Sequence, residues 1–188
     1  TVAPYLVLAT SGGLVKKSKL TDFDSNRSGG VVAINLKDSD ELIAAALISA
    51  DDDLLLVSQK AQSIRFHADD DSLRPMGRAT SGVIGMRFAG DDVLLAMEVI
   101  PDGDDTTEIL VATEGGFAKR TPVSEYNPQG RGGRGILTAR IVSTRGGLVG
   151  AIAVRSADEI YAITSNGGVI RTSASEVRRA SARPWACG

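Results

Sequence analysis

The sequence predicts an all-β, propeller-like protein built from four-stranded repeats of about 50 residues, and three observations support this. A short apolar run, a tight turn and a return strand recur four times, and the turns end at Gly13, Ala61, Gly116 and Gly168. A second mark, glycine before an apolar run, keeps the same period at Gly30, Gly82 and Gly135. No stretch of ten or more residues has clean helical periodicity, and apolar runs between Gly and Asp turns are typical of buried strands.

The first repeat shows the order of the elements. Residues 6–10 predict one strand, Gly12 and Gly13 a hairpin turn, and residues 14–18 the return strand. After a loop, Gly29 and Gly30 precede a third predicted strand over residues 31–34, and residues 41–48 predict the fourth.

Extended along the chain, this order predicts a single repeat domain over residues 1–183. We expect the repeats at about 5–53, 54–107 and 108–158, with a partial repeat at 159–183. The chain is therefore expected to hold about three and a half blades, an incomplete propeller. The tail, 184–188, fits no part of the pattern.

Composition indicates a protein with an aliphatic core and no membrane partner. The 188 residues are 43% hydrophobic but only 4% aromatic, so the core must consist of Val, Ile, Leu and Ala. No apolar run approaches the ~18 residues of a membrane helix, and no signal peptide is visible at Thr1. With Cys187 as the one cysteine, we expect no internal disulfide and a cytoplasmic location.

Charge is distributed unevenly along the chain. Residues 1–114 hold 10 Lys and Arg against 19 Asp and Glu, whereas residues 115–188 hold 11 against 4. The acidic residues cluster in turns such as Asp51–Asp53 and Asp69–Asp71, which are typical of solvated loops. The basic half is predicted to attract a polyanion.

Signatures of an enzyme are scarce. His67 is the one histidine, so neither a histidine metal cluster nor a histidine relay is available. The Asp-rich loops lack the ligand order of a calcium-binding loop. Residues 130–135 satisfy G-x-G-x-x-G, but they follow a Pro-containing loop and precede a β-like run, not a helix, so we reject a dinucleotide site. We therefore predict no catalytic residue, no metal and no cofactor in this chain.

The strongest functional signal is the segment 129–135, which we call the box. It contains two arginines and four glycines in seven residues. Glycine lets the backbone approach a large ligand, and the arginine guanidinium suits phosphate oxygens. The box residues predicted to contact a phosphate backbone are Gln129, Arg131, Gly132, Gly133, Arg134 and Gly135.

Cations also recur in the return strands. One strand position carries Lys16, Ile64, Lys119 and Arg171, and the next carries Lys17, Arg65, Arg120 and Thr172. Equivalent positions of a propeller lie on a ring, so the sequence predicts a cationic perimeter that follows a bent phosphate backbone. Its predicted members are Lys16, Lys17, Arg65, Lys119, Arg120 and Arg171.

The hairpin pattern T-x-x-G-x-x-K-R and the box together resemble the C-terminal DNA-wrapping domain of the A subunit of DNA gyrase. The resemblance covers residues 1 to about 183. The family's box reads Q-R-R-G-G-K-G; here Gly130 replaces its first arginine and Arg134 its lysine. The family's principal box lies in the first blade, whereas this one lies in the third repeat, so we expect a variant box.

The resemblance implies a β-pinwheel, a propeller relative whose blades exchange strands. It also implies a non-catalytic domain that bends double-stranded DNA and supports negative supercoiling by a type II topoisomerase. The implied partners are the rest of the gyrase A protein and the gyrase B protein, in the cytoplasm with the chromosome. The ATPase with its Mg²⁺ and the nucleophilic tyrosine would lie elsewhere, and Tyr5, Tyr126 and Tyr161 would be structural.

Two alternatives remain open from sequence. The matching domain of topoisomerase IV binds DNA with little wrapping, and the box favours gyrase. A propeller that binds another protein would use the acidic loops as its partner face and would not bind DNA at low salt.

Overall fold

The computed structural model describes residues 3–182, and the predicted tail, 184–188, lies outside them. The described chain is all-β, which confirms the predicted fold class. Besides its strands it contains three 3₁₀-helices of one turn, Leu20–Phe23, Val123–Glu125 and Ala174–Glu176. The strands are β1 Tyr5–Thr10, β2 Leu14–Lys19, β3 Leu42–Ile48, β4 Asp53–Ser58, β5 Gln62–His67, β6 Val83–Ile84, β7 Leu94–Ile100, β8 Glu108–Thr113, β9 Ala118–Pro122, β10 Ile136–Leu137, β11 Leu148–Val154, β12 Glu159–Ile163 and β13 Val169–Ser173.

The strands form four small antiparallel sheets. Each begins with a hairpin, β1–β2, β4–β5, β8–β9 or β12–β13, and in the first three an outer strand pairs with the first hairpin strand. The fourth strand of the first sheet is β6, which belongs to the second repeat in sequence, and that of the second sheet is β10, from the third repeat. Neighbouring repeats therefore exchange a strand, as the resemblance implies.

This exchange corrects the predicted third strand of the first repeat. The sequence predicts a strand over residues 31–34, but these residues have no regular β-structure. The equivalent residues, Val83 and Ile136, pair with the return strand of the preceding repeat. No such strand lies beside Val31 within residues 3–182, so the backbone there has no ladder to join.

Each hairpin turn contains one residue with positive φ, and matching these residues aligns the four repeats. These residues are Gly13, Ala61, Gly116 and Gly167, with φ between 66° and 85°. The fourth mark is therefore Gly167, not Gly168. Because of this shift, Arg171 is equivalent to Lys17, Arg65 and Arg120, whereas Ile170 is equivalent to Lys16 and Lys119.

The core lies between the repeats. One cluster joins repeats one and two through Val7, Leu54, Phe66 and Met86, and a second joins repeats two and three through residues such as Val57. A smaller cluster of Leu110, Val154 and Ala174 joins repeats three and four. Aliphatic burial of this kind stabilises a fold by about 25 cal/mol per Å². Because consecutive repeats share their cores, the loops that cross between them have fixed positions.

Candidate nucleic-acid interface

Three loops cross between neighbouring repeats in the same way. After each of the second, third and fourth return strands the chain reaches back to the return strand of the repeat before. The amide of Met76 donates to the carbonyl of Lys17 at 2.8 Å, Gln129 to Arg65 at 2.7 Å, and Ala180 to Arg120 at 2.9 Å. We call residues 68–82, 126–135 and 177–182 the inter-repeat loops; the second contains the box.

The box seats its backbone directly on repeat two. The amide of Gly132 donates to the carbonyl of Gly85 at 2.8 Å, and that of Arg87 donates to the carbonyl of Gly133 at 2.9 Å. Gly135 has φ 71°, and a Cβ there would lie 2.1 Å from the carbonyl oxygen of Ser63. Glycine is therefore required at this position, where the loop turns into β10.

The two box arginines have different surroundings. Arg131 is half-buried, and its guanidinium donates to the carbonyls of Ser72 at 2.8 Å and Ile84 at 2.6 Å, both in repeat two. Arg134 is exposed and makes no hydrogen bond or ion pair with any residue from 3 to 182. The side chain of Gln129 is also exposed. Arg134 and Gln129 are thus free to contact a ligand.

The three predicted perimeter lysines are buried, which corrects their expected position on an exposed edge. Lys16 and Lys17 are 0% exposed and Lys119 is 1% exposed. Adjacent residues of a strand point to opposite faces, and here neighbouring repeats cover both faces.

Two of these buried ammonium groups donate to carbonyl oxygens on both sides of a repeat boundary. Lys16 Nζ donates to Ala33 and Arg78, and Lys119 Nζ to Thr138 at 2.6 Å and Ser181 at 2.9 Å. Burial lowers the pKa of Lys119 to about 8, and burial followed by the charge of Arg78 lowers the pKa of Lys16.

Lys17 has a different set of partners. Its ammonium donates to the Ala68 carbonyl at 2.6 Å and to Asp70 Oδ1 at 2.8 Å, and it lies 4.6 Å from the centre of the Tyr5 ring. The cation–π contact and the carbonyl bond compensate the buried charge.

The equivalent arginines pair with a carboxylate diagonally across their own hairpin. Arg65 Nε lies 2.6 Å from Asp53 Oδ2, and the same pairs recur as Arg120–Glu108 and Arg171–Glu159. Arg65 and Arg120 also donate to carbonyls of the following repeat, such as Val177. These contacts inside the protein are a structural reason for the recurrence of a cation at this position.

Arg171 alone among the predicted perimeter cations is clearly exposed, with 61% of its side chain accessible. It lies on β13, and its partner Glu159 is half accessible. A pair of this kind is weak, so Arg171 can exchange its carboxylate for a phosphate.

Sequence reasoning missed the arginines of the other inter-repeat loops. Arg74 is exposed and Arg78 half-buried in the loop of repeat two, and Arg178 and Arg179 are exposed in that of repeat four. Of these, Arg179 is ion-paired, with its Nε 2.6 Å from Glu108 Oε1. Pro75-Met76-Gly77-Arg78 aligns with Pro128-Gln129-Gly130-Arg131, and this alignment could have found Arg78. Each inter-repeat loop therefore presents arginine at the junction that it covers.

Neither a metal site nor a membrane span is found among residues 3–182. That part of the chain has no group of three His, Cys, Asp or Glu side chains placed to hold an ion. None of its helices has the length and apolar character to cross a membrane.

Comparison with known proteins identifies the family. The profile described as "DNA gyrase C-terminal domain, beta-propeller" matches residues 4–49, 52–101, 107–155 and 158–183. Over 180 residues the chain is 66% identical to the A subunit of DNA gyrase from Mycobacterium bovis, covering 96% of this chain and 21% of that protein. The chain thus spans about a fifth of the length of the curated relatives it matches.

Two solved structures share the fold. A DNA gyrase A C-terminal domain aligns with a TM-score of 0.82 at 28% identity, covering 96% of this chain and 59% of that one. The C-terminal domain of a DNA topoisomerase IV aligns with a TM-score of 0.88 at 24% identity, covering 96% and 55%. Because the four matched segments together cover most of the chain and each contains one of its four hairpins, the chain belongs to the DNA gyrase C-terminal domain family.

Proposed function

We propose that this chain binds and wraps double-stranded DNA as the C-terminal part of a gyrase A protein. The observation that carries the proposal is the exposed arginine repeated on successive inter-repeat loops: Arg74, Arg134, Arg178 and Arg179. Phosphate contacts of this kind are tolerant of sequence and sensitive to salt. Loops at equivalent positions of successive repeats suit a polymer whose charge also repeats along its length.

The predicted contact residues divide into two groups under this proposal. Gln129, Arg134 and Arg171 contact the DNA backbone, together with the loop arginines. Lys16, Lys17 and Lys119, with Arg65 and Arg120, hold the repeats together and fix the loops, because their donors are bonded internally. The box glycines bring the loop backbone onto repeat two.

The DNA path is proposed to favour the repeats after Gly115. Residues 115–188 carry 11 Lys and Arg against 4 Asp and Glu, and the acidic turns of residues 1–114 repel a polyanion. The shared cores also support the proposal that residues 1–183 act as one domain.

In the whole enzyme this domain would present a bent DNA segment for strand passage that introduces negative supercoils. Its partners would be the remainder of the gyrase A protein and the gyrase B protein, in the cytoplasm with the chromosome. Strand cleavage and ATP hydrolysis with Mg²⁺ would be supplied by those other parts. Identity of 66% to a gyrase A protein favours gyrase over topoisomerase IV, with which the chain shares the fold at 24% identity.

A gel-shift titration across a salt series tests DNA binding. We expect the 188-residue chain to bind a duplex of ~40 bp and, with six to ten phosphate contacts, to lose roughly 10³–10⁵ in affinity between 50 and 200 mM salt. Arg134→Met should lower the slope of log K against log salt by about 0.9. Arg140→Met, at an exposed arginine outside the inter-repeat loops, is the matched control. Absence of duplex binding at 50 mM salt would refute the proposal.

Wrapping needs a separate measurement. A nicked circular DNA is closed by ligase with and without the chain, and the linking number of the product is compared. Wrapping shifts the linking number, whereas simple binding leaves it unchanged. An unchanged linking number at saturating protein would assign binding without wrapping.

A further inference from the structure

We infer that Arg131 of the box is a positioning residue that clamps repeat three to repeat two, and that Arg134 makes the phosphate contact. The inference deepens the proposed function and rests on it. The middle one of the three junctions between repeats differs from the other two in the cation that spans it.

At the first and third junctions a buried lysine bridges two carbonyls. Lys16 joins Ala33 of repeat one to Arg78 of repeat two, and Lys119 joins Thr138 of repeat three to Ser181 of repeat four. Ala33 and Thr138 occupy equivalent positions, three residues after Gly30 and Gly135. The two clamps therefore have the same construction.

The middle junction lacks this lysine. Its equivalent is Ile64, whose buried side chain has no donor. A Cβ on Gly133 would lie 3.4 Å from Ile64 Cδ1, so the box packs on the apolar side chain instead. An ammonium clamp from repeat two is thus unavailable to hold the box.

Arg131 supplies a cation from the opposite side. Its guanidinium reaches back from repeat three to the carbonyls of Ser72 and Ile84 in repeat two, at 2.8 and 2.6 Å. Two charge-assisted bonds to carbonyl oxygens satisfy part of the guanidinium donor set and orient its plane. The middle junction therefore has two cations that each donate to two carbonyls across it: Arg65 of repeat two, to Val123 and Tyr126, and Arg131 of the box, which takes the place of the missing lysine.

The two arginines of the box therefore have different roles. Arg131 lies three residues before Arg134, and the amide of Gly132 is bonded to Gly85 beside it. Fixing Arg131 fixes the loop from which Arg134 projects. Loss of Arg131 should therefore change the direction of the bound DNA more than the number of its phosphate contacts.

Three measurements on the full 188-residue chain test this with Arg131→Met and Arg134→Met. The first, made without DNA, is hydrogen exchange at the amides of Gly132 and Arg87, which join the box to repeat two. The second is the salt slope of duplex binding. The third is the end-to-end distance of a duplex carrying a fluorophore at each end, at saturating protein.

For Arg131→Met we expect amide exchange roughly 10- to 100-fold faster, as for loss of a hydrogen bond to a charged group. The end-to-end distance should rise and the salt slope should stay unchanged. For Arg134→Met we expect unchanged exchange and a slope lower by about 0.9. Arg131→Met with unchanged exchange and a slope lower by about 0.9 would overturn the inference.

A second-site variant tests the clamp chemistry. Ile64→Lys places at the middle junction the residue found at the other two, so Arg131→Met/Ile64→Lys should return the Gly132 and Arg87 amides to slow exchange. Continued fast exchange in a folded double variant would overturn the clamp. Amide exchange is measured without DNA, so it tests the clamp independently of DNA binding. A chain that fails to bind duplex would refute the proposed function, and the exchange data would still show whether Arg131 holds the box on repeat two.

Discussion

Arg65 and Asp53 form a 2.6 Å ion pair diagonally across the hairpin of repeat two, and only 7% of the Asp53 side chain is exposed. The same relationship joins Arg120 to Glu108 and Arg171 to Glu159. A buried pair of this kind is held by its geometry, because loss of one partner leaves the other charged without compensation. The recurrence of arginine in the sequence therefore reflects hairpin stability as well as surface charge.

Removing the carboxylate from the buried pair should be costly. Glu108→Ala leaves the Arg120 guanidinium, which is 10% exposed, without its carboxylate, and we expect a loss of about 3 kcal/mol in the free energy of unfolding. The variant also breaks the ion pair of Glu108 with Arg179, but that arginine is 63% exposed and its pair should add less than about 1 kcal/mol. Glu159→Ala is the matched control, because its side chain is 52% exposed and should cost less than about 1 kcal/mol. Urea unfolding measures both. Equal losses in the two variants would show that burial does not set the strength of the pair.

The close approach of Gly135 to Ser63 makes a second prediction. Gly135→Ala forces a left-handed φ on alanine and places its Cβ against a carbonyl oxygen, so we expect a loss of at least about 1–2 kcal/mol. Gly130→Ala, in the same box with open space around it, should stay within about 0.5 kcal/mol of the parent. Thermal and urea unfolding of the two variants provide the comparison. A Gly135→Ala variant as stable as the parent would contradict the close approach of Gly135 to the Ser63 carbonyl.

Burial of Lys119 makes the free energy of unfolding depend on pH above neutrality. Its pKa is about 8 in the folded chain against 10.5 in the unfolded one, so between these values the unfolded state binds more protons. The free energy of unfolding contributed by this group therefore rises as pH rises through that window. We expect the wild type to gain on the order of 1–3 kcal/mol relative to Lys119→Met between about pH 7 and pH 10.

Urea titrations of both proteins at the two pH values measure this gain. Because Lys119→Met lacks the titrating group and shares the remaining ones, the difference between the two proteins isolates Lys119. A difference that is constant with pH would mean that the ammonium is not desolvated.

Arginines of the other inter-repeat loops should behave like Arg134. Arg74→Met and Arg178→Met remove exposed cations from the loops of repeats two and four, and each should lower the salt slope of duplex binding by about 0.9. Arg140→Met again serves as the control. If the Arg74 and Arg178 variants keep the parental slope while Arg134→Met loses affinity, the DNA contacts only the box.

The sequence allowed prediction of the repeat and the hairpins, because glycines at positive φ recur at regular intervals along it. Gly13, Gly116 and Gly135 each stand where the backbone needs that conformation. It did not by itself allow prediction of the strand exchange, because β6 and β10 are two residues long and their partners lie in another repeat. Pairing between repeats leaves no local pattern.

Burial of the lysines was also beyond prediction from the sequence. Lys16 and Lys17 alternate across β2, so one strand period cannot bury both. Residues 68–78 of the next repeat contact both lysines, because the Ala68 carbonyl accepts from Lys17 and the Arg78 carbonyl accepts from Lys16. The exposed Arg74 and Arg178 were missed for the converse reason, since a loop arginine has no periodic position.

The donation of β6 to the first sheet and of β10 to the second gives the chain a polarity. A segment cut at residue 53 would leave β2 with an unpaired edge, whereas one that continued to Ile84 would carry its own closing strand. The smallest autonomous piece is thus offset from the sequence period by about 30 residues. A duplicated or engineered segment that includes this offset would add a complete sheet. A segment cut at the sequence period would expose an unpaired strand edge that can pair with another chain.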